Sequence, residues 1–359
     1  MYKIEINMKK HNFFAGPAIL PQTVKKKAAQ AALNYKNKGL SLMELSHRGA
    51  DFVQILDTTE SLVRELLNVP DTYAVLFLTG GASSQFYMSA MNLFNPKDKV
   101  GYLDTGTWSK KAIKEAKNFC DLQVLASSED KNYNYVPRGY KMPTKMKYVH
   151  VTSNNTIFGT QIKKWPETKA PMVADMSSDI FSRRLPIEKF GLIYAGAQKN
   201  VGLAGVTLVI VKKSLLGKVK RAIPTMLDYR THVEKKSSFN TPPVFPIYVT
   251  MLNLQWVKSK GGVKGMEARN KEKARLLYEE IDNNPLFKGV TAKRDRSLMN
   301  ATFQITDPKK EKSFLSKCKK AGIVGIKGHR SVGGFRASMY NAMELSSVKA
   351  LVRVMKSMK

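Results

Sequence analysis

The sequence has few cysteines and few histidines for a chain of 359 residues. The two cysteines, Cys120 and Cys318, lie far apart and show no C-x-x-C spacing, which argues against a disulfide framework or a structural zinc site. The histidines show no H-E-x-x-H or similar pairing. The sequence therefore predicts no metal site and favours a reducing compartment.

Long hydrophobic runs are also missing. The longest apolar run, residues 201–211, is too short to span a bilayer. Residues 1–10 lack the apolar core of a signal peptide. We therefore expect a cytoplasmic protein with no membrane partner.

Acidic residues are scarce relative to basic ones. The chain has 60 Lys and Arg against 28 Asp and Glu, a net charge of +32. The basic residues are scattered in short pairs such as Lys110–Lys111 and Lys212–Lys213, without the clustering that a nucleic-acid site requires. We interpret the excess as a solvated basic surface with no specific nucleic-acid partner; steering of anionic ligands and incidental polyanion binding remain open.

What is present is a long alternation of strand-like and helix-like segments between residues 74 and 211. This alternation predicts an α/β fold with a mostly parallel sheet covered by helices on both faces. The length predicts two domains. We expect an N-terminal segment 1–16 that packs with the smaller domain, a large domain 17–260, and a smaller α+β domain 261–359.

A single lysine follows one apolar run and precedes another. Lys199 ends the stretch 191–199, and the Val-rich run 201–211 follows. A lysine held between two buried strands loses hydration, which lowers its pKa and leaves a neutral amine able to form a Schiff base. The alternative is a lysine that caps a strand end.

An acid ends another apolar run upstream, at Asp175. A carboxylate and a lysine at the tips of two strands suit a pyridoxal phosphate site, where the acid pairs with the ring nitrogen and the lysine holds the aldehyde. A helix N-cap or a surface acid is the alternative interpretation of Asp175.

A possible anion site follows the strand predicted at residues 74–80. A Gly-Gly turn and a helix start follow it, so free backbone N–H groups at Ala82 and Ser83 point at one spot. No Gly-Lys-Ser/Thr follows, so this is not a Walker A loop. We expect the phosphate of pyridoxal phosphate to bind there.

Three motifs occur in a fixed order: Gly-Ala-Gln-Lys-Asn at 196–200, Asn-Thr-Pro-Pro at 240–243, and Gly-His-Arg-Ser-Val-Gly-Gly-Phe-Arg-Ala-Ser at 328–338. With these motifs the chain resembles the phosphoserine aminotransferases, class V aminotransferases of the fold type I pyridoxal-phosphate enzymes. The resemblance runs from Phe14 to the C-terminal helix. Some members carry arginine where this chain has Ser83.

The resemblance implies further cofactor contacts. Trp108 matches a tryptophan that stacks on the pyridine ring, Thr156 a threonine that contacts the cofactor, and Gln198 a phosphate-binding glutamine. Asn240 and Thr241 match residues that reach the cofactor phosphate of the partner subunit. The resemblance therefore implies a homodimer with two composite active sites.

It also implies a substrate pocket. Arg336 matches the residue that holds the substrate α-carboxylate. His329 and Arg330, with His47 and Arg48 from the partner subunit, match residues that receive the distal phosphate or the side-chain carboxylate of glutamate. Arginine suits this task because its planar fork binds carboxylate and phosphate with two hydrogen bonds.

The implied reaction is transamination between L-glutamate and 3-phosphohydroxypyruvate, giving O-phospho-L-serine and 2-oxoglutarate in serine biosynthesis. Use of the phosphorylated threonine analogue of pyridoxine biosynthesis is left open. A related alanine or serine:glyoxylate aminotransferase is the nearest alternative. A cysteine desulfurase would need a cysteine near the site, and neither Cys120 nor Cys318 lies in a matching position. A non-enzymatic polyanion-binding protein on this scaffold is the alternative from another class.

Overall fold

The computed structural model describes residues 10–358. Its centre is a seven-stranded sheet in the order β2-β8-β7-β6-β5-β3-β4. The strands are β2 (Tyr73–Leu78), β3 (Lys99–Asp104), β4 (Asp121–Ser127), β5 (Val149–Thr152), β6 (Met172–Asp175), β7 (Phe190–Gly196) and β8 (Thr207–Lys212).

The sheet is mostly parallel. Five adjacent strands, in the order β4, β3, β5, β6 and β7, pair in parallel with one another. Only β8 runs the other way, antiparallel to both β7 and β2. Six of the seven strands are buried apart from Lys99 and Lys212 and are rich in Val, Leu, Ile and Tyr, as expected when helices cover both faces. The edge strand β4 is the exception, because none of its residues is buried. The predicted α/β fold is confirmed.

Helices form a layer on each side of this sheet. Two of them, α3 (Gly81–Leu93) and α4 (Thr107–Ala116), pack on one face with a core that includes Tyr102, Tyr148 and Tyr194. On the other face lie α1 (Gln22–Leu33), α2 (Ala50–Leu67) and α6 (Val244–Ser259). The short helix α5 (Tyr229–Glu234) contacts β2.

The C-terminal part has its own sheet and its own apolar core. The antiparallel sheet has the order β12-β10-β9, from β9 (Phe287–Gly289), β10 (Asn300–Ile305) and β12 (Phe335–Ser338). Helices α7 (Gly262–Asn283), α8 (Glu311–Lys320) and α9 (Leu345–Lys356) cover it, and Phe303, Phe314 and Phe335 pack together inside. The exact division at residue 260 stays a prediction.

The start of the described chain belongs to this C-terminal part. Strand β1 (His11–Asn12) pairs in parallel with β11 (Ile323–Val324), and Phe13 is buried in the C-terminal core. Ala15–Pro17 then pass the edge of the large sheet before α1 begins. The predicted packing of segment 1–16 falls partly on residues 1–9, which lie outside the described residues.

One predicted strand begins later than the sequence indicates. The strand after Lys199 begins at Thr207 and not at Val201, because residues 201–206 form a turn. In that turn Gly205 has a φ of +116°, which disfavours any other residue, and a side chain on Gly202 would lie 2.8 Å from the Thr250 hydroxyl.

No helix among residues 10–358 has both the length and the apolar character needed to cross a membrane.

Candidate active site

The carboxyl ends of the parallel strands open into one cavity of about 590 Å³. A cavity of this size and position is typical of ligand sites in α/β proteins. The predicted site residues that line it come from both parts of the chain: Ala82, Ser83, Trp108, Thr156, Asp175, Gln198, Lys199, His329 and Arg336.

Lys199 lies in the turn after β7, and its amine faces this cavity. It donates a 2.8 Å hydrogen bond to the hydroxyl of Thr156 and lies 5.9 Å from the centre of the Trp108 ring. Loss of hydration lowers the pKa of Lys199 from 10.5 to about 8; the Asp175 carboxylate acts in the opposite direction, and Arg336 lowers the pKa further. A sizeable fraction of the amine is therefore neutral near neutral pH.

Asp175 is the last residue of β6, and its side chain is buried in the cavity wall. The backbone N–H of Ser177 donates to Asp175 Oδ1 at 2.9 Å, which fixes the direction of the carboxylate. Burial raises the pKa of Asp175, while the bonds from Ser177 and the charge of Lys199 work against that rise. The acid is thus prepared for a cationic partner inside the cavity.

Helix α3 points its N-terminus at the same space. Gly80 precedes the helix with a φ of +87°, and a side chain there would collide with Ser84. The helix has no side-chain cap. The N–H groups of its first turn, which include those of Ala82 and Ser83, are therefore available to an anion, and the helix dipole favours negative charge there.

The C-terminal part contributes an arginine and a histidine. Arg336 on β12 reaches across and donates from Nη1 to the backbone carbonyl of Thr156 at 3.1 Å. His329 lies beside it, and its Nδ1 is 2.6 Å from the Ser331 hydroxyl. Burial, then the charges of Arg336 and Arg330, lowers the pKa of His329.

Several polar atoms around the cavity are buried without a hydrogen-bond partner among residues 10–358. They are Thr152 Oγ1, Trp108 Nε1 and Arg336 Nε. Buried polar groups without partners are uncommon, and at a cavity wall such groups can bond to a ligand. An uncapped helix start, a flat aromatic ring, a carboxylate and a lysine together fit a phosphorylated aromatic ring that carries an aldehyde.

Sequence reasoning missed some of the residues that shape this site. Ala15–Pro17 line the cavity although they precede the large sheet in the chain, and Ser177 orients Asp175. A signal for Ser177 existed, because an aspartate often accepts from the N–H two residues on. None existed for Ala15–Pro17, because their position depends on the pairing of β1 with β11.

Five predicted residues lie outside the cavity. Arg330 is exposed and does not line it. His47 and Arg48 lie just before α2, and Thr241 is exposed. Asn240 lines a separate cavity of about 200 Å³ behind the start of α3. Their roles stay predictions. In the described part of the chain no three His, Cys, Asp or Glu side chains cluster as metal ligands would.

Comparison with known proteins identifies the family of this chain. The family model of class-V aminotransferases matches residues 11–351. The chain belongs to the class-V aminotransferases. Among curated members of this family, the phosphoserine aminotransferase of Flavobacterium johnsoniae is 55% identical over 98% of this chain and 99% of its own length.

Solved class-V structures share the fold. The phosphoserine aminotransferase of Bacillus circulans subsp. alkalophilus is 43% identical, covers 98% of both chains and superposes with a TM-score of 0.94. A PLP-bound phosphoserine aminotransferase of Trichomonas vaginalis is 38% identical and covers 97% of this chain and 100% of its own, with a TM-score of 0.92. The whole chain, and not one region, therefore resembles these enzymes.

Proposed function

We propose that the protein is a pyridoxal-phosphate-dependent aminotransferase that moves the amino group of L-glutamate to 3-phosphohydroxypyruvate, giving O-phospho-L-serine and 2-oxoglutarate for serine biosynthesis. The observation that carries this proposal is that Lys199 and Asp175 face one cavity together with the uncapped start of α3. The high identity to curated phosphoserine aminotransferases supports the substrate assignment.

Each part of the cofactor has a suitable binding group. The N–H groups at Ala82 and Ser83, with Gln198, would hold the phosphate. Asp175 would pair with the ring nitrogen, and Trp108 would stack on the ring. Lys199 would carry the aldehyde carbon. When bound, the cofactor supplies an electron sink that stabilises negative charge at the substrate α-carbon.

Lys199 would also transfer the proton. Once a substrate has displaced it from the aldehyde carbon, its Nζ would take the proton from the α-carbon of glutamate and pass it to the bound cofactor. In the other half of the reaction it would return a proton from the cofactor to the α-carbon of the oxo acid. A pKa of about 8 suits this double task, because the amine can both accept and release a proton near neutral pH. The hydroxyl of Thr156 holds the amine in place between these steps.

The arginine and histidine side chains at the cavity mouth would select the substrates. Arg336 would bind the α-carboxylate that both substrates share. His329, with Arg330 and with His47 and Arg48 of a second copy, would bind the distal group, which is a carboxylate in glutamate and a phosphate in the acceptor. Ser83 leaves no cation at its position, so these residues would supply the positive charge.

We propose that the active form is a cytoplasmic homodimer. Apolar side chains are exposed near the segments predicted to reach the partner: Met43 is 61% and Phe239 40% exposed. A second copy that covers these segments would bury these apolar groups.

The test is a comparison of acceptors with glutamate as donor. We expect kcat/KM for 3-phosphohydroxypyruvate to exceed those for glyoxylate and pyruvate by about a hundredfold or more, because the phosphate adds charged hydrogen bonds. A preference for glyoxylate would overturn the substrate assignment. Lys199→Ala should abolish the visible absorption of the bound cofactor; a protein without that absorption in its wild-type form would instead support the non-enzymatic alternative.

A further inference from the structure

The residue that follows Lys199 is an asparagine joined to two others from distant parts of the chain. Asn200, Asn270 and Asn341, which we call the asparagine joint, are all buried. Asn270 lies on α7, and Asn341 follows the end of β12 by three residues. These three described residues lie behind the cavity and do not line it.

Hydrogen bonds connect the three residues in a row. The backbone N–H of Asn341 donates to Asn200 Oδ1 at 3.0 Å, and Asn270 Nδ2 donates to Asn341 Oδ1 at 2.8 Å. From α6, Asn253 Nδ2 donates to the carbonyls of Asn200 and Val201 at 2.8 and 3.0 Å. The turn that carries Lys199 is therefore fixed to both helices and to the end of β12.

The same three side chains also bind the turn that follows Asp175. They donate to three consecutive backbone carbonyls, those of Ile180, Phe181 and Ser182, which accept from Asn200, Asn341 and Asn270 at 3.1, 2.9 and 3.3 Å. Phe181 is buried and has a φ of +58°. A bulky residue persists in this conformation only where its surroundings hold it there.

The segment between Arg336 and Asn341 is itself tied to α7. Lys273, which is 1% exposed, donates from Nζ to the carbonyls of Met339 and Tyr340 at 2.9 and 2.7 Å. Movement of α7 relative to the large sheet would therefore move Arg336 and the asparagine joint together.

We propose that the asparagine joint is a positioning device that sets the place of Lys199 relative to Asp175 and to Arg336. This proposal rests on the proposed function, in which Lys199 is the Schiff-base lysine, Asp175 pairs with the ring nitrogen and Arg336 binds the α-carboxylate. Asparagine suits the role, since the amides of Asn200 and Asn341 both donate and accept, and that of Asn270 donates twice. None of them adds a charge that would change the pKa of Lys199. A misplacement of about 1 Å at a reacting group can cost about a hundredfold in rate.

The test uses Asn341→Ala and Asn270→Ala in the full-length holoenzyme. The control is Asn284→Ala at the far end of α7, where the side chain of a buried asparagine makes three hydrogen bonds, with Glu280, Met355 and Leu286, against two for each of the side chains tested. In Asn341→Ala, saturating glutamate should bleach the visible absorption of the cofactor about tenfold more slowly than in the wild type. The KM for glutamate should change by less than about threefold. The isotope effect with α-deuterated glutamate should rise, because proton transfer to Lys199 becomes slower.

Hydrogen exchange provides a second measurement that needs no turnover. Peptides that cover residues 179–184 and 196–206 should exchange faster in Asn341→Ala and Asn270→Ala than in the wild type, while Asn284→Ala should leave them unchanged. Asn270→Ala keeps the bonds of Asn341 to Phe181 and Asn200, so it carries the test if Asn341→Ala does not fold.

The proposal would be overturned if both Asn341→Ala and Asn270→Ala showed the bleaching rate, the isotope effect and the hydrogen exchange of Asn284→Ala. A wild-type protein that glutamate does not bleach would instead contradict the proposed function. In that case the exchange comparison would still decide whether the asparagine joint holds the Lys199 turn.

Discussion

The amine of Lys199 donates to the hydroxyl of Thr156 at 2.8 Å, and this bond passes over the strand that carries Asp175. Lys199 follows β7 and Thr156 follows β5, while Asp175 ends β6, which pairs with both. The lysine is thus held from one side by its own turn and from the other by a turn two strands away. Its position depends on three adjacent strands of the sheet.

Thr156→Val should weaken cofactor binding. The substitution keeps the shape of the side chain but removes the acceptor for the Lys199 amine and the proposed contact with the cofactor, at a cost of about 1 kcal/mol or more. The dissociation constant of the cofactor, measured by absorbance titration, should rise about fivefold to tenfold. Thr59→Val is the matched control, because it removes a buried hydroxyl that bonds only within α2. Equal effects in both variants would contradict the assignment.

Cofactor uptake should depend on pH through Lys199. Only the neutral amine attacks an aldehyde, and the pKa of Lys199 is lowered to about 8, so the rate of uptake by cofactor-free protein should rise with pH and level off above about pH 8. The Asp175 charge raises this pKa, so Asp175→Asn should shift the midpoint toward lower pH. Stopped-flow absorbance at several pH values measures the rate of cofactor uptake and its midpoint. A midpoint near the ordinary lysine value of 10.5 would show that the amine is not desolvated.

Substitutions at the cavity mouth should separate the two substrates. Arg336→Ala removes a charged hydrogen bond worth about 1.5–3 kcal/mol, so KM should rise at least about tenfold for both glutamate and the phosphorylated acceptor. His329→Ala and Arg330→Ala should chiefly lower kcat/KM for the phosphorylated substrate. Arg353→Ala, an exposed arginine on α9, serves as the control for loss of positive charge. Equal losses for phosphorylated and unphosphorylated acceptors in the His329 variant would refute its role.

The kcat/KM for anionic substrates should fall as the ionic strength rises. A net charge of +32 attracts anionic substrates over long distances, and salt screens this attraction beyond about 10 Å at 0.1 M. Between 10 mM and 300 mM potassium chloride we expect kcat/KM to fall about tenfold for 3-phosphohydroxypyruvate and less for pyruvate, which carries less charge. The added salt must be a chloride and not a glutamate salt, because glutamate is itself the amino donor of the reaction. A flat salt profile would show that the basic surface does not guide substrates.

The parts of the site that sequence predicted are those that depend on local patterns. Lys199, Asp175 and the glycines before α3 each follow an apolar run of strand length, and a parallel sheet brings such strand ends together whatever the loops do. The same reasoning predicted the α/β fold. These features are determined within a few residues of each strand.

The parts that sequence did not predict depend on contacts between distant residues. Asn200 and Asn341 are 141 positions apart, and no local pattern indicates that they meet. Strand β4 lies at the edge of the sheet and has no buried residue, so its sequence lacks the apolar pattern that predicts a strand. Arg330 matched a substrate-binding position, yet its exposure depends on how the loop 328–334 folds.

The pairing of β1 with β11 has a consequence for how the chain is made. His11 and Asn12 leave the ribosome early, but Ile323 and Val324 are synthesised only after nine tenths of the chain. Until then the segment that includes Ala15–Pro17 has no strand to anchor it, although the large sheet can already form. The part of the cavity wall at Ala15–Pro17 therefore reaches its final place only when synthesis of the chain is almost complete.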